Sequence, residues 1–188
     1  MGPWYHTYEK VKTIMCSRFF IRKENGKKRD VYPTSQAEVL CLKKGALVRL
    51  PQKWGFQAEG KTLIINARAE TALEKPIFCE SLLKRRMAVE AEGFYEWNRE
   101  KEKQIFTLGE KKLYLAGFYR LEGEEWHFCL LTVPANESVS PVHDRMPLIL
   151  RSDQVREWLE NGARLQEFLK QKPEPLTREA PYEQLCLF

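Results

Sequence analysis

Apolar and polar residues alternate with a period near two through most of the chain. The period becomes helical in only two stretches, so the pattern predicts a strand-rich fold with few helices. The residues from Cys16 to Arg22 read as a short strand, broken by the basic loop from Lys23 to Asp30 that contains Gly26. Ala37 to Lys43 and Leu47 to Leu50 flank Lys44-Gly45-Ala46 as a hairpin, with Pro51 read as a strand end; Trp54-Gly55-Phe56 and a turn at Glu59-Gly60 follow. Leu63-Ile64-Ile65 leads into Asn66-Ala67-Arg68-Ala69-Glu70, and Pro76 opens a helical segment from Ile77 to Arg85 in which Phe78, Leu82 and Leu83 share a face. Four further strands are predicted: Met87 to Trp97, Gln104 to Leu108, Leu113 to Tyr119 and Trp126 to Val133. Ser152 caps a predicted helix from Asp153 to Lys170, whose stripe of Val155, Trp158, Leu159, Leu165, Phe168 and Leu169 reads as core packing. Pro173 and Pro175 end it, and Leu176 to Phe188 is expected to lie over the surface as a tail. The pattern therefore reads as an antiparallel sheet system at the centre of the chain, with two helical segments.

At 188 residues the chain has the length of one domain, and its 43% hydrophobic and 30% charged residues fit an ordinary globular protein. No apolar run approaches the roughly 20 residues needed to span a bilayer. Met1 to Ile14 lacks the apolar centre of a secretory signal, so a cytoplasmic location is the expectation. The five cysteines (Cys16, Cys41, Cys79, Cys129 and Cys186) form no CxxC pair, and there are three histidines, so neither a disulfide framework, a metal nor a cofactor is expected. A net charge of +5 permits an anionic partner such as nucleic acid without requiring one.

Chemistry is concentrated in four places. Met15-Cys16-Ser17-Arg18-Phe19 reads as the start of a protein whose first residue, after methionine removal, is a cysteine. An N-terminal Cys is a 1,2-aminothiol: its amine condenses with an aldehyde and its thiol then closes a thiazolidine. An internal Cys cannot do this, because an amide nitrogen is not nucleophilic. The reading therefore divides the chain into an extension, residues 1–15, that is absent from the active molecule, and a single domain, residues 16–188. For Cys16 by itself, a buried structural thiol is the alternative. In an extended Asn66 to Glu70, the side chains of Asn66, Arg68 and Glu70 line one face over Ala67 and Ala69, giving either a polar site on a buried strand or a solvated edge. Gly93-Phe94-Tyr95-Glu96-Trp97 sets Glu96 among aromatics, where partial desolvation would raise its pKa toward that of a proton shuttle; an exposed Glu on an amphipathic strand is the alternative. His143-Asp144-Arg145-Met146-Pro147 offers a loop histidine as a general acid or as a surface residue.

Seven pieces in fixed order carry a family resemblance: Met15-Cys16-Ser17-Arg18-Phe19, Pro33-Thr34, Trp54-Gly55-Phe56, Asn66-Ala67-Arg68-Ala69-Glu70-Thr71, Arg85-Arg86, Gly93-Phe94-Tyr95-Glu96-Trp97 and His143-Asp144-Arg145-Met146-Pro147. The chain resembles the SOS response-associated peptidase (SRAP) family, the abasic-site processing proteins. The resemblance implies an α+β fold, a barrel-like antiparallel β-sheet core with peripheral helices, together with binding of single-stranded DNA at abasic sites and a covalent DNA–protein cross-link through Cys16, with Asn66, Glu96 and His143 completing the site. It places Arg18, Arg68 and Arg145 at phosphates, Trp54 near the lesion and Thr132 at a DNA contact. A monomer that associates with the nucleoid when bound to DNA is expected. Ser17 stands where the family usually has Gly, and Met87 and Glu90 where it often has Cys and Pro. Two rival functions follow from the same residues: a cysteine autopeptidase that removes residues 1–15, with Cys16 as nucleophile and His143 as base, and a non-covalent binder of single-stranded or modified DNA.

Overall fold

The computed structural model describes residues 17–22, 26–58, 60, 62–160 and 162–180. The strands are β1 (Phe19–Arg22), β2 (Lys28–Val31), β3 (Gln36–Lys43), β4 (Ala46–Trp54), β5 (Phe56–Gln57), β6 (Leu63–Ile64), β7 (Asn66–Arg68), β8 (Arg86–Ala91), β9 (Gly93–Trp97), β10 (Lys103–Thr107), β11 (Leu113–Glu122), β12 (Glu125–Pro134), β13 (Arg145–Pro147), β14 (Ile149–Leu150) and β15 (Thr177–Glu179). The helices are α1 (Pro76–Lys84), α2 (Val155–Glu160) and α3 (Leu165–Leu169).

Five strands pair in a closed ring, β12-β4-β3-β8-β11 and back to β12, which makes the expected barrel. Four joints are antiparallel, but β4 meets β12 in parallel at Lys53–Trp54 and His127–Phe128. Closure satisfies backbone groups that an open sheet would leave at its edges. A second, antiparallel sheet runs β15-β10-β9-β1-β2. One continuous buried cluster joins the two sheets, from Phe19 and Phe94 through Trp54, Phe118 and Phe128 to Trp158 and Phe168.

Local chemistry accounts for several joints. Lys44 and Gly45 both have positive φ, 52° and 79°, the backbone of a tight two-residue hairpin turn between β3 and β4. Pro51 does not end β4: the strand continues to Trp54, and because β12 joins it only at Lys53 and Trp54, one edge at Pro51 is open and a missing N–H is tolerated. The apolar run from Met87 to Trp97 is two strands, one in each sheet, with the Glu92 N–H donating to Phe20 O at 2.9 Å at the crossing. Gly93 makes that crossing possible, since a Cβ there would lie 2.7 Å from the Phe20 ring and also strike Phe106 O. Arg86 is buried and donates to the carbonyls of Leu82, Leu83 and Trp158, so one cation closes the end of α1 and ties α2 to the barrel.

The helix expected from Asp153 to Lys170 is a 3₁₀ turn at Ser152–Gln154 followed by α2 and α3. Gly162 lies in the break between the helices, while the apolar stripe remains buried on both sides of it. The N-cap position falls at Arg151 rather than Ser152, with the Arg151 N–H donating to Gln154 Oε1 at 3.0 Å. Beyond Pro173 the chain adds β15 to β10, so the described part of the tail joins the second sheet.

Candidate functional site

β7 lies parallel to β12, with Asn66 opposite Leu130 and Arg68 opposite Thr132, while β13 runs antiparallel on β12 with Pro147 opposite Thr132. This pairing brings Asn66, Arg68, Thr132 and Arg145, distant in sequence, to one end of β12. Ala67 and Ala69 are buried and Arg68 is exposed, as the alternation from Asn66 to Glu70 predicts, although β7 turns into a 3₁₀ helix at Ala69–Thr71.

Arg145 is the best-held polar group there. Its Nη1 donates to Glu70 Oε1; its Nη2 donates to Glu70 Oε2 at 2.8 Å, to Thr132 O at 2.7 Å and to Thr132 Oγ1 at 3.2 Å. The guanidinium hydrogen bond holds the Glu70 carboxyl below the usual carboxylate range. Thr132 is 1% exposed and its hydroxyl donates to Ala67 O, so it fixes Arg145 and β7 from beneath.

His143 ends a turn organised by Asn136, whose Oδ1 accepts from the N–H groups of Ser138 and Val139. The His143 Nδ1 has two partners with opposite demands. It accepts the Arg145 N–H at 3.0 Å when it carries no proton, and it lies 2.9 Å from Asp144 Oδ1, to which it donates when it carries one.

The second half of the site is on β9. Glu96 is 1% exposed on the strand face it shares with Phe94, so it is a buried carboxylate rather than a solvated one. β1 pairs with β9 through Phe19–Phe94, and the Tyr95 N–H donates to Arg18 O at 3.0 Å. That register carries Ser17 opposite Glu96. Cys16, the expected nucleophile, lies outside the described residues.

Trp54 links the two halves. It is fully buried, its ring centroid 5.0 Å from that of Phe19 and 6.1 Å from that of Phe128, and its indole N–H donates to Ile65 O at 3.0 Å, one residue before Asn66. The indole is a pillar between β1 and β7, and none of its faces is exposed.

The opposite face of β9 carries a cluster of cations and aromatic rings. The Arg18 guanidinium lies 4.4 Å from the Tyr32 ring centroid and 5.1 Å from that of Trp97, while Lys28 and Lys103 stand 5.0 and 5.2 Å from the Tyr95 ring. Tyr32 is exposed and Trp97 half-buried. Sequence reasoning missed this basic aromatic platform; the signal was present in the alternation that sets Tyr95 and Trp97 on one strand face. Burial and the Asp30 carboxylate, which accepts the Tyr95 hydroxyl at 2.8 Å, push the Tyr95 phenol well above its ordinary range. Among the described residues no cluster of three or more His, Cys, Asp or Glu side chains is arranged to hold a metal, and no helix is long and apolar enough to cross a membrane.

The fold thus defines a closed five-stranded barrel with a flanking sheet and a polar site where the two meet. Solved structures share this architecture. A phage-related protein from Bordetella bronchiseptica superposes with a TM-score of 0.76 at 21% identity, over 89% of this chain and 95% of that one. A protein from Bacteroides thetaiotaomicron superposes with a TM-score of 0.68 at 22% identity, over 80% of this chain and 76% of that one. The chain belongs to the SOS response associated peptidase (SRAP) family, whose model matches residues 8–184. The abasic site processing protein YoaM of Bacillus subtilis is 33% identical over 159 residues, 76% of this chain and 70% of that protein. YoqW of the same organism is 38% identical over 106 residues, and HMCES of Xenopus tropicalis 32% over 126 residues; both carry the description abasic site processing protein. The match covers 47% of YoqW and 38% of HMCES, so the chain spans about half or less of those relatives.

Proposed function

We propose that the chain recognises abasic sites in single-stranded DNA and captures them as a thiazolidine through Cys16, when Cys16 is the N-terminal residue. The observation that carries this reading is the buried carboxylate of Glu96 beside the strand that leads back from Phe19 to Ser17, in a chain of the SRAP family. An abasic deoxyribose in its open form presents an aldehyde at C1′. The Cys16 amine adds to that carbon, water leaves to give a Schiff base, and the thiol adds across the C=N bond to close the ring, for a net loss of one water. Glu96 moves protons between amine, hydroxyl and thiol from a site shielded from bulk water. His143 acts as the general acid that delivers a proton to the ring oxygen as the sugar opens, and Asn66 on β7 holds the amine and sugar through its amide. Ring closure removes the iminium that would drive β-elimination, so the strand stays intact.

Single strands require cations along the phosphates and flat surfaces for bases. Arg18, Arg68 and Arg145 supply the first, and Tyr32 and Trp97 take the stacking role in place of Trp54. The test is intact mass spectrometry of the chain beginning at Cys16, mixed with single-stranded DNA bearing one abasic site. An adduct equal to protein plus DNA less one water is expected. It is lost in Cys16→Ala and in a chain that retains residues 1–15. No adduct from a chain with a free Cys16 amine overturns the proposal. If the full-length chain loses residues 1–15 on incubation while Cys16→Ala does not, the autopeptidase activity is real as well.

A further inference from the structure

The family resemblance places Arg145 at a phosphate, yet its fork already holds protein acceptors. Glu70 accepts from both terminal nitrogens, Thr132 takes two more contacts from Nη2, and Nε is buried without a partner. The Arg145 side chain is 13% exposed and Glu70 41%. The two halves of this pair therefore differ in burial. Arg145 is pinned from below by the Thr132 carbonyl and hydroxyl, whereas Glu70 sits on the solvent side of the fork in a 3₁₀ turn, where rotation carries its carboxylate into water. A carboxylate and a phosphate present the same pair of acceptor oxygens to a guanidinium.

Resting on the reading above, we propose that Glu70 is a built-in phosphate surrogate: it holds the Arg145 fork in binding geometry and must be displaced by a DNA phosphate before Arg145 engages the strand. The exchange leaves no buried charge unpaired at either end, because Arg145 passes from one anion to another while Glu70 becomes hydrated. It also sets a threshold. A ligand that offers Arg145 a weaker acceptor than a phosphate does not dislodge Glu70, so the device lowers affinity for poorly seated strands.

The test is equilibrium binding of undamaged single-stranded oligonucleotide, which involves no cross-link, by the full chain, Glu70→Gln, Arg145→Gln and the double variant. Glu70→Gln is expected to bind roughly two- to fivefold more tightly, the range set by a competing, partly exposed ion pair. The gain should vanish in the Arg145→Gln background, which separates displacement from a general change in net charge. Equal or weaker binding by Glu70→Gln, or a gain that persists without Arg145, overturns the surrogate role while leaving DNA recognition standing. Absence of binding by both the unmodified chain and Glu70→Gln overturns the surrogate and the DNA-recognition reading together.

Discussion

Replacing Trp54 with Phe separates a pillar from a stacking platform. The substitution removes the indole N–H that reaches Ile65 O, worth about 1 kcal/mol. It does not orphan that carbonyl, which also accepts the Leu130 N–H at 3.1 Å. Shrinking a fully buried ring between Phe19 and Phe128 adds about 1–2 kcal/mol of lost transfer and cavity free energy. The sum, about 2–3 kcal/mol, corresponds to a fall in Tm of about 5–10 °C for a chain of this size. Thermal and urea denaturation followed by circular dichroism measure the stability. Binding of undamaged single-stranded DNA, well below the melting temperature, measures the contact. Affinity should stay within about twofold, since a buried side chain makes no direct contact with the strand. A Tm within about 2 °C of the parent together with a tenfold or greater loss of DNA affinity would refute the burial argument, because it would mean that the indole is available to bases.

Two further outcomes follow from buried and partly buried charge. Arg86→Met strips donors from the carbonyls of Leu82, Leu83 and Trp158 and should cost about 2–4 kcal/mol in urea unfolding, with α1 the first element to lose amide protection in hydrogen exchange. The Glu70–Arg145 pair predicts a pH signature. Glu70 has a folded pKa below its ordinary value of 4.5, so its contribution is present above that value and is lost as pH falls through the folded pKa. Because Glu70 is partly exposed, solvent screening holds the contribution below about 1 kcal/mol at neutral pH. The stability difference between the parent chain and Glu70→Gln should therefore shrink toward zero on acidification, and a difference that grows toward low pH would contradict the pairing.

The sequence by itself determined the local elements and the chemical inventory. Lys44-Gly45 specifies a tight turn, Pro76 opens α1, and the alternation through Asn66 to Glu70 and Gly93 to Trp97 settles which side chains share a face, because these features depend on backbone preferences and on neighbours within a few residues. The same alternation placed Glu96 on the strand face of Phe94, and the tertiary structure decided that Glu96 is buried there. Only the tertiary structure decided partners. The parallel joint between β4 and β12 closes the barrel across 74 positions from Lys53 to His127, and Arg145 meets Glu70 at a separation of 75. Periodicity reports that a face is apolar, not what covers it. Met87 to Trp97 therefore read as one strand and proved to serve two sheets, and the helix expected after Ser152 broke near Gly162. In each case the outcome was set by burial against residues far away in sequence, where packing free energy outweighs the local preference that a one-dimensional pattern records.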